Sequence, residues 1–198
     1  MLFRSSAQWK RSVERAYQPM MIDRTAADST GSVLLSNKKE GGELNIAPSL
    51  SPDGKYIAYI SEKDLFSVEL FMADAKTGKT IRKLSNATAN PHFDALSYIE
   101  SAGTWSPDGK HFAYAVFAGG DNQIIIVNTD DGSLFRQVKP LVNGSLVNPA
   151  WSPDGRYIAF SGAVGGIGDL YLYDVETGET RQLTHDKYGN YQIGRAHV

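Results

Sequence analysis

The 198 residues contain no cysteine. Disulfides, thiol nucleophiles and cysteine metal sites are therefore excluded, while the compartment stays open. No apolar run is long enough for a membrane span, and Met1-Leu2-Phe3-Arg4-Ser5-Ser6 lacks the apolar core of a signal peptide. Neither sign of charge dominates. Lys and Arg number 20 against 22 Asp and Glu, and a net charge of −2 gives no drive toward nucleic acid or an anionic membrane. The four histidines, His92, His111, His185 and His197, include no two spaced as a metal pair. His-Glu-x-x-His, Gly-x-Ser-x-Gly and Walker signatures are all missing. The glycines from Gly162 to Gly168 follow an apolar run instead of opening a helix, so they read as turn residues. Asn128-x-Asp130-x-Gly132 starts like a calcium loop but lacks the later acidic positions and the distal Glu. The expectation is a chain with no metal, no cofactor and no catalytic residue.

What the sequence does have is one stretch repeated three times. Ser51-Pro52-Asp53-Gly54-Lys55-Tyr56-Ile57-Ala58-Tyr59 returns as Ser106-Pro107-Asp108-Gly109-Lys110-His111-Phe112-Ala113-Tyr114. It returns again as Ser152-Pro153-Asp154-Gly155-Arg156-Tyr157-Ile158-Ala159-Phe160. Leu50, Trp105 and Trp151 precede the copies. Pro sets φ for a tight turn and Gly takes the positive φ that closes it. The β-branched and aromatic residues that follow suit a buried strand. A second landmark keeps step: Asp74-Ala75-Lys76-Thr77-Gly78, Asn128-Thr129-Asp130-Asp131-Gly132 and Asp174-Val175-Glu176-Thr177-Gly178. Apolar runs lead into each, which predicts a second hairpin per unit. Four antiparallel strands repeated at steps of 55 and 46 residues are the pattern of propeller blades. Trp105 and Trp151 recur at one repeat position, which points to packing between blades. His111 takes the place of Tyr56 and Tyr157 and reads as structural.

The predicted fold is all-β: a partial β-propeller of three four-stranded antiparallel blades with a short N-terminal helix. Residues 1–22 form the helical segment. Within it, residues 5–17 carry Trp9, Val13, Ala16 and Tyr17 on one face, and Pro19 is expected to stop the helix. Residues 23–43 read as a linker with a short strand at Ser32-Val33-Leu34-Leu35-Ser36. Residues 44–192 hold the blades, at 44–85, 98–139 and 145–184. Between the first and second blades eight extra residues are assigned to Asn86–Ala95. Insertions in repeat proteins map to loops on one face, often the working face. His92, Phe93, Asp94 and Tyr98 are accordingly the candidate binding residues. The competing reading has Phe93 filling a gap between blades and His92 solvated.

Trp-Ser-Pro-Asp-Gly-Lys/Arg-x-Ile-Ala-Phe/Tyr with Asp-x-x-Thr-Gly and Gln182-Leu183-Thr184 resembles the TolB-type β-propeller repeat over residues 44–192. Leu50 for Trp and Asn128 for Asp are departures. Asn45–Ser51, Asp64-Leu65-Phe66, Pro91–Asp94 and Gly165–Tyr171 further resemble large bacterial proteins in which a metallopeptidase-like domain precedes such a propeller. The resemblance implies a periplasmic or extracellular parent, with residues 1–22 as the tail of an upstream domain. The expected function is a non-catalytic scaffold binding a protein or peptide, with no nucleic acid partner and no membrane span. The remaining blades would be supplied by the parent chain. The alternatives are an accessory propeller that positions substrate for a metallopeptidase or other hydrolase, and a sugar-binding propeller. The next repeat is due close to residue 198, where the chain instead reads Ile193-Gly194-Arg195-Ala196-His197-Val198. Back-translated, those residues fit a common sequencing adapter, so 193–198 are expected to be non-native.

Overall fold

The computed structural model describes residues 2–25, 29–42, 44–64, 67–85, 93–96, 103–118, 120–139, 144–185 and 187–190. It divides into two units, Met1–Val33 and Leu34–Val198. The first unit is built on helix α1, Leu2–Met21, which runs through Pro19. The expected stop at Pro19 is thus corrected. A proline this close to the C-terminal end removes one helical hydrogen bond with little helix left to disrupt. Among the described residues no helix is long and apolar enough to cross a membrane.

The second unit opens with residues 34–36, which belong to no sheet, and a short helix α2, Asn37–Glu40. The strand expected at Ser32–Ser36 is not formed, because no neighbouring strand supplies its hydrogen bonds. Blade 1 follows as β1 (Asn45–Leu50), β2 (Tyr56–Asp64), β3 (Ser67–Asp74) and β4 (Thr80–Lys83), paired in that order. Blade 2 holds β5 (Phe93–Leu96), β6 (Thr104–Trp105), β7 (His111–Ala118), β8 (Asp121–Asn128) and β9 (Leu134–Val138). Blade 3 holds β10 (Ser145–Trp151), β11 (Tyr157–Val164), β12 (Ile167–Asp174) and β13 (Thr180–Gln182). All pairings are antiparallel.

Alternation along the strands sends one face of each blade toward its neighbour. Ala58, Ile60, Leu70, Met72 and Leu84 of blade 1 meet Phe112, Tyr114, Val116, Ile125 and Val127 of blade 2. One junction on, Ala113, Ala115, Ile124, Ile126 and Val138 meet Ile158, Phe160, Tyr171 and Tyr173. The rule is the same at both: small and aliphatic residues of one blade against larger residues of the next. Trp105 donates its indole N–H to the Ser49 carbonyl across the first junction at 3.0 Å, as a packing role predicts. Trp151 instead donates to Gly155 in its own turn at 2.9 Å.

The third and fourth strands of every blade are held by one polar clasp. Lys83 pairs with Glu69 at 2.8 Å, where Glu69 is 0% exposed. Gln137 donates to Gln123 in blade 2. Gln182 donates to Asp169 in blade 3 at 3.0 Å. Buried polar groups need such partners, since an unmatched one keeps its full desolvation cost.

Candidate functional site

Of the insertion, Phe93, Asp94 and Ala95 are described, in the first strand of the second sheet. In blades 1 and 3 that strand is continuous but bulged, with the register shifting between Ile46 and Ser49 and between Val147 and Ala150. Ala47 (φ 53°) and Asn148 (φ 55°) occupy the left-handed region at these bulges, each directly before a proline. Left-handed φ is costly for a residue with a side chain, and a following proline narrows the choice further. In blade 2 the described residues of that strand fall in two pieces. Phe93, Ala95 and Leu96 pair with the far end of β7, and Thr104 and Trp105 pair with its near end. Residues 97–103 lie between the two pieces, where only Val147, Asn148 and Pro149 separate Leu146 from Ala150 in blade 3.

This corrects one boundary. The described strands of the second sheet begin at Phe93, not at residue 98. Phe93 and Asp94 are strand residues of β5. His92 and Tyr98 lie outside the described residues, as does the 193–198 tail. The backbone thus puts Phe93 and Asp94 on the first strand of the second sheet.

The Ser-Pro-Asp-Gly turns form the other notable surface. In each, the Ser hydroxyl donates to the Asp carboxylate at 2.5–2.7 Å and accepts the amide of the fifth following residue at 2.8–2.9 Å. The Asp also accepts the amide two residues on, at 3.0–3.1 Å. These bonds favour the ionised carboxylate. The Ser51 hydroxyl, then the Lys55 amide, brings Asp53 down to about 2. Ser106 and Ser152 likewise hold Asp108 and Asp154 below the usual carboxylate range. Gly109 has φ 71°, and a methyl group there would lie 4.0 Å from Pro52 of the preceding turn. At Gly155 the same test meets Pro107 at 3.8 Å. The three turns therefore stack on one another in order.

The second hairpin turns share this end of the blades. Ala75, Thr129 and Val175 donate their amides to the carbonyls of Lys55, Lys110 and Arg156 at 2.8–2.9 Å. Between blades 2 and 3 on the same side, His111 lies 4.2 Å from the Phe135 ring and 6.3 Å from the Trp151 ring, centroid to centroid. Phe135 is 44% exposed. This cluster was not singled out in the sequence, because its members are far apart along the chain. The substitution of His111 for Tyr at a repeat position was the available signal. A cleft of about 480 Å³ lies beside Tyr157, Leu172, Asp174 and Arg181 on blade 3. Among the described residues no group of three His, Cys, Asp or Glu side chains is arranged to hold a metal ion.

No family model matches the chain. The protein named "Tol-Pal system protein TolB" from Hydrogenovibrio crunogenus is 32% identical over 109 residues, 55% of this chain and 22% of that protein. The crystal structure of TolB from Acinetobacter baumannii aligns at a TM-score of 0.61 and 23% identity, covering 75% of this chain and 34% of that one. A structure of putative TolB from Agrobacterium tumefaciens aligns at 0.57 and 23% identity, covering 73% and 47%. The chain thus spans less than half the length of each. In its repeat sequence and in its fold it is similar to the TolB-type β-propeller.

Proposed function

We propose that these blades are part of a longer, non-catalytic propeller that binds a protein or peptide across the face formed by its Ser-Pro-Asp-Gly turns. The observation that carries this is the stacked row of turns with ionised Asp53, Asp108 and Asp154 beside the half-open His111–Phe135–Trp151 cluster. Fixed acidic groups next to exposed aromatic area suit a peptide with basic and apolar side chains. His92, Phe93, Asp94 and Tyr98 are a second proposed contact region. The likeness to a Tol-Pal system protein supports a periplasmic or extracellular location. The finer resemblance, to a propeller following a metallopeptidase-like domain, would make the same face an accessory surface that positions substrate.

A displayed peptide library and a glycan panel applied to the purified chain test this reading. Selected peptides are expected to carry Lys or Arg beside an apolar residue. Phe135→Ala should weaken them about tenfold or more, in the range of an interface aromatic, with an unchanged melting midpoint. Selective glycan capture, or peptides indifferent to Phe135→Ala and Asp108→Asn, would overturn it.

A further inference from the structure

The outer strands of blades 1 and 2 each hold one residue more than the outer strand of blade 3. Arg82 and Arg136 stand four residues past the turn glycines Gly78 and Gly132, whereas Arg181 stands three past Gly178. The added residue forms a bulge. Met72 pairs with Arg82 and Ala73 with Thr80, so Ile81 is left over. Ile126 pairs with Arg136 and Val127 with Leu134, so Phe135 is left over. In blade 3 Leu172 and Tyr173 pair with Arg181 and Thr180, with nothing between. The arginine after each bulge serves the next blade. Arg136 donates to the Val175 carbonyl and the Tyr173 hydroxyl, and the charge of Arg82 acts on Asp131. The bulged residues themselves are apolar and stand in solvent, Ile81 42% and Phe135 44% exposed.

Neither folding nor edge protection asks for this. Blade 3 completes its fourth strand without the added residue. A bulge that only blunted an open edge would be needed in all three blades and would be better served by a charged side chain. Bulges also re-aim side chains at working surfaces, and here they turn out two apolar ones at equivalent places in successive blades.

The second turn of blade 2 lies between these two side chains. A methyl group on its Gly132 would stand 2.8 Å from the Lys83 carbonyl oxygen of β4. The second turn of blade 3 lies beyond Phe135, where Arg136 holds its Val175. These two turns carry Asp130, Asp131, Asp174, Glu176 and Glu179 and no lysine or arginine. Arg82 and Arg156 act on them from outside and still leave acid in excess. The second turn of blade 1 instead sets Lys76 and Lys79 against Asp74. From Ile81 onward the rim therefore alternates: apolar, acidic, apolar, acidic. Packed sheets lie about 10 Å apart, and blades arranged radially spread further at their outer strands. In an extended peptide, residues four apart are separated by about 13 Å on one face, and the residue midway points the same way.

We propose that this rim binds an extended peptide segment of a partner protein in which two apolar residues stand four apart, one on Ile81 and one on Phe135, with Lys or Arg midway and again two residues past the one on Phe135. The midway cation meets the turn of Asp130 and Asp131, and the outer one meets Glu176 and Glu179. The inference deepens the peptide-binding reading given above and rests on it.

The test uses the purified chain and four labelled heptapeptides. Leu-Ser-Lys-Ser-Phe-Ser-Lys and its reverse carry the pattern in the two chain directions. Leu-Ser-Lys-Phe-Ser-Ser-Lys and its reverse keep the composition but move Phe by one place. By fluorescence anisotropy the better of the first pair should bind about tenfold more tightly than either shifted peptide. Ile81→Ala and Phe135→Ala should each weaken it by about tenfold, as expected for an anchor side chain, with unchanged melting midpoints. Equal binding of the patterned and shifted peptides overturns the spacing and leaves the broader reading standing. So does a loss with Phe135→Ala and none with Ile81→Ala. A lowered melting midpoint in Ile81→Ala would make that residue part of the packing and overturn its role as an anchor. No binding by any of the four overturns the inference, and a displayed library that also yields no peptide overturns the peptide-binding reading with it.

Discussion

Blades 1 and 3 each turn one face away from blade 2. On blade 1 that face carries Ile57, Tyr59, Phe71 and Ala73, and Leu35 packs over it. Tyr59, Phe71 and Ala73 are buried as deeply as any residue at a blade junction. On blade 3 it carries Ala159, Leu170 and Leu172, which are only partly buried. Their counterparts in blade 1, Ala58, Leu70 and Met72, are buried by blade 2. Ser161 on the same open face keeps a buried hydroxyl with no hydrogen-bond partner. Equivalent positions thus differ in burial because of their neighbours and not because of their own sheet. A blade is a half-core, as expected where each repeat contacts only the next.

The largest expected effect sharpens this contrast. Leu84 is 0% exposed at a closed junction, while Leu183 at the matching position is 46% exposed. Leu84→Ala should cost about 2–5 kcal/mol, the range for deleting a buried leucine, and Leu183→Ala less than about 1 kcal/mol. Urea midpoints measure both. Similar losses would mean that the outer strand is stabilised within its blade and that the neighbour matters little.

The turns come next. Gly109→Val should destabilise by about 1–3 kcal/mol through its positive φ, and Lys110→Ala by much less. The contact with Pro52 is of ordinary length, so backbone conformation and not crowding sets the cost. Equal midpoints for the two variants would remove the turn assignment.

The smallest effect is on the acid limb and separates the two ends of the array. The Glu40 carboxylate accepts the Thr80 hydroxyl at 2.7 Å and the Thr80 amide at 3.1 Å. These bonds, the hydroxyl first, hold it below its ordinary value. A lowered carboxylate stabilises above its unfolded value of about 4.3 and loses that contribution as pH falls through the folded value. The 34–40 segment should therefore loosen on blade 1 in acid, read as faster amide exchange at Thr80. In Glu40→Gln that exchange should no longer change over the same range. A pH-independent Thr80 amide in the native chain would show that Leu35 alone anchors the segment.

The strand order of each blade and both turns were legible because Pro, Asp and Gly fix local geometry that no tertiary contact needs to override. Three elements were not. Phe93–Leu96 follows the Asn90-Pro91 pair and reads as loop, yet β7 pairs with it. Ser32–Ser36 has the composition of a strand, but composition cannot supply the neighbour that completes one. Pro19 marks a helix end less sharply than expected, because a break in the last turn costs little. The proposed site divided in the same way. Spacing located the insertion, while the His111–Phe135–Trp151 cluster depends on the meeting of two blades.

The polar clasp has a consequence for how the chain avoids confusing its own copies. Near-identical repeats invite the outer strand of one unit to zip onto the third strand of another. Here each unit carries a different pair: Glu69 with Lys83, Gln123 with Gln137, Asp169 with Gln182. An outer strand swapped in from blade 2 or blade 3 would seal Glu69 against a glutamine and leave its buried charge without the lysine. Breaking a buried ion pair in that way costs about 3–5 kcal/mol. The clasp therefore acts as an address for the first sheet: Glu69 rejects the glutamine-bearing outer strands of blades 2 and 3, and it would equally penalise genetic crossovers that splice the first three strands of blade 1 to either of those fourth strands.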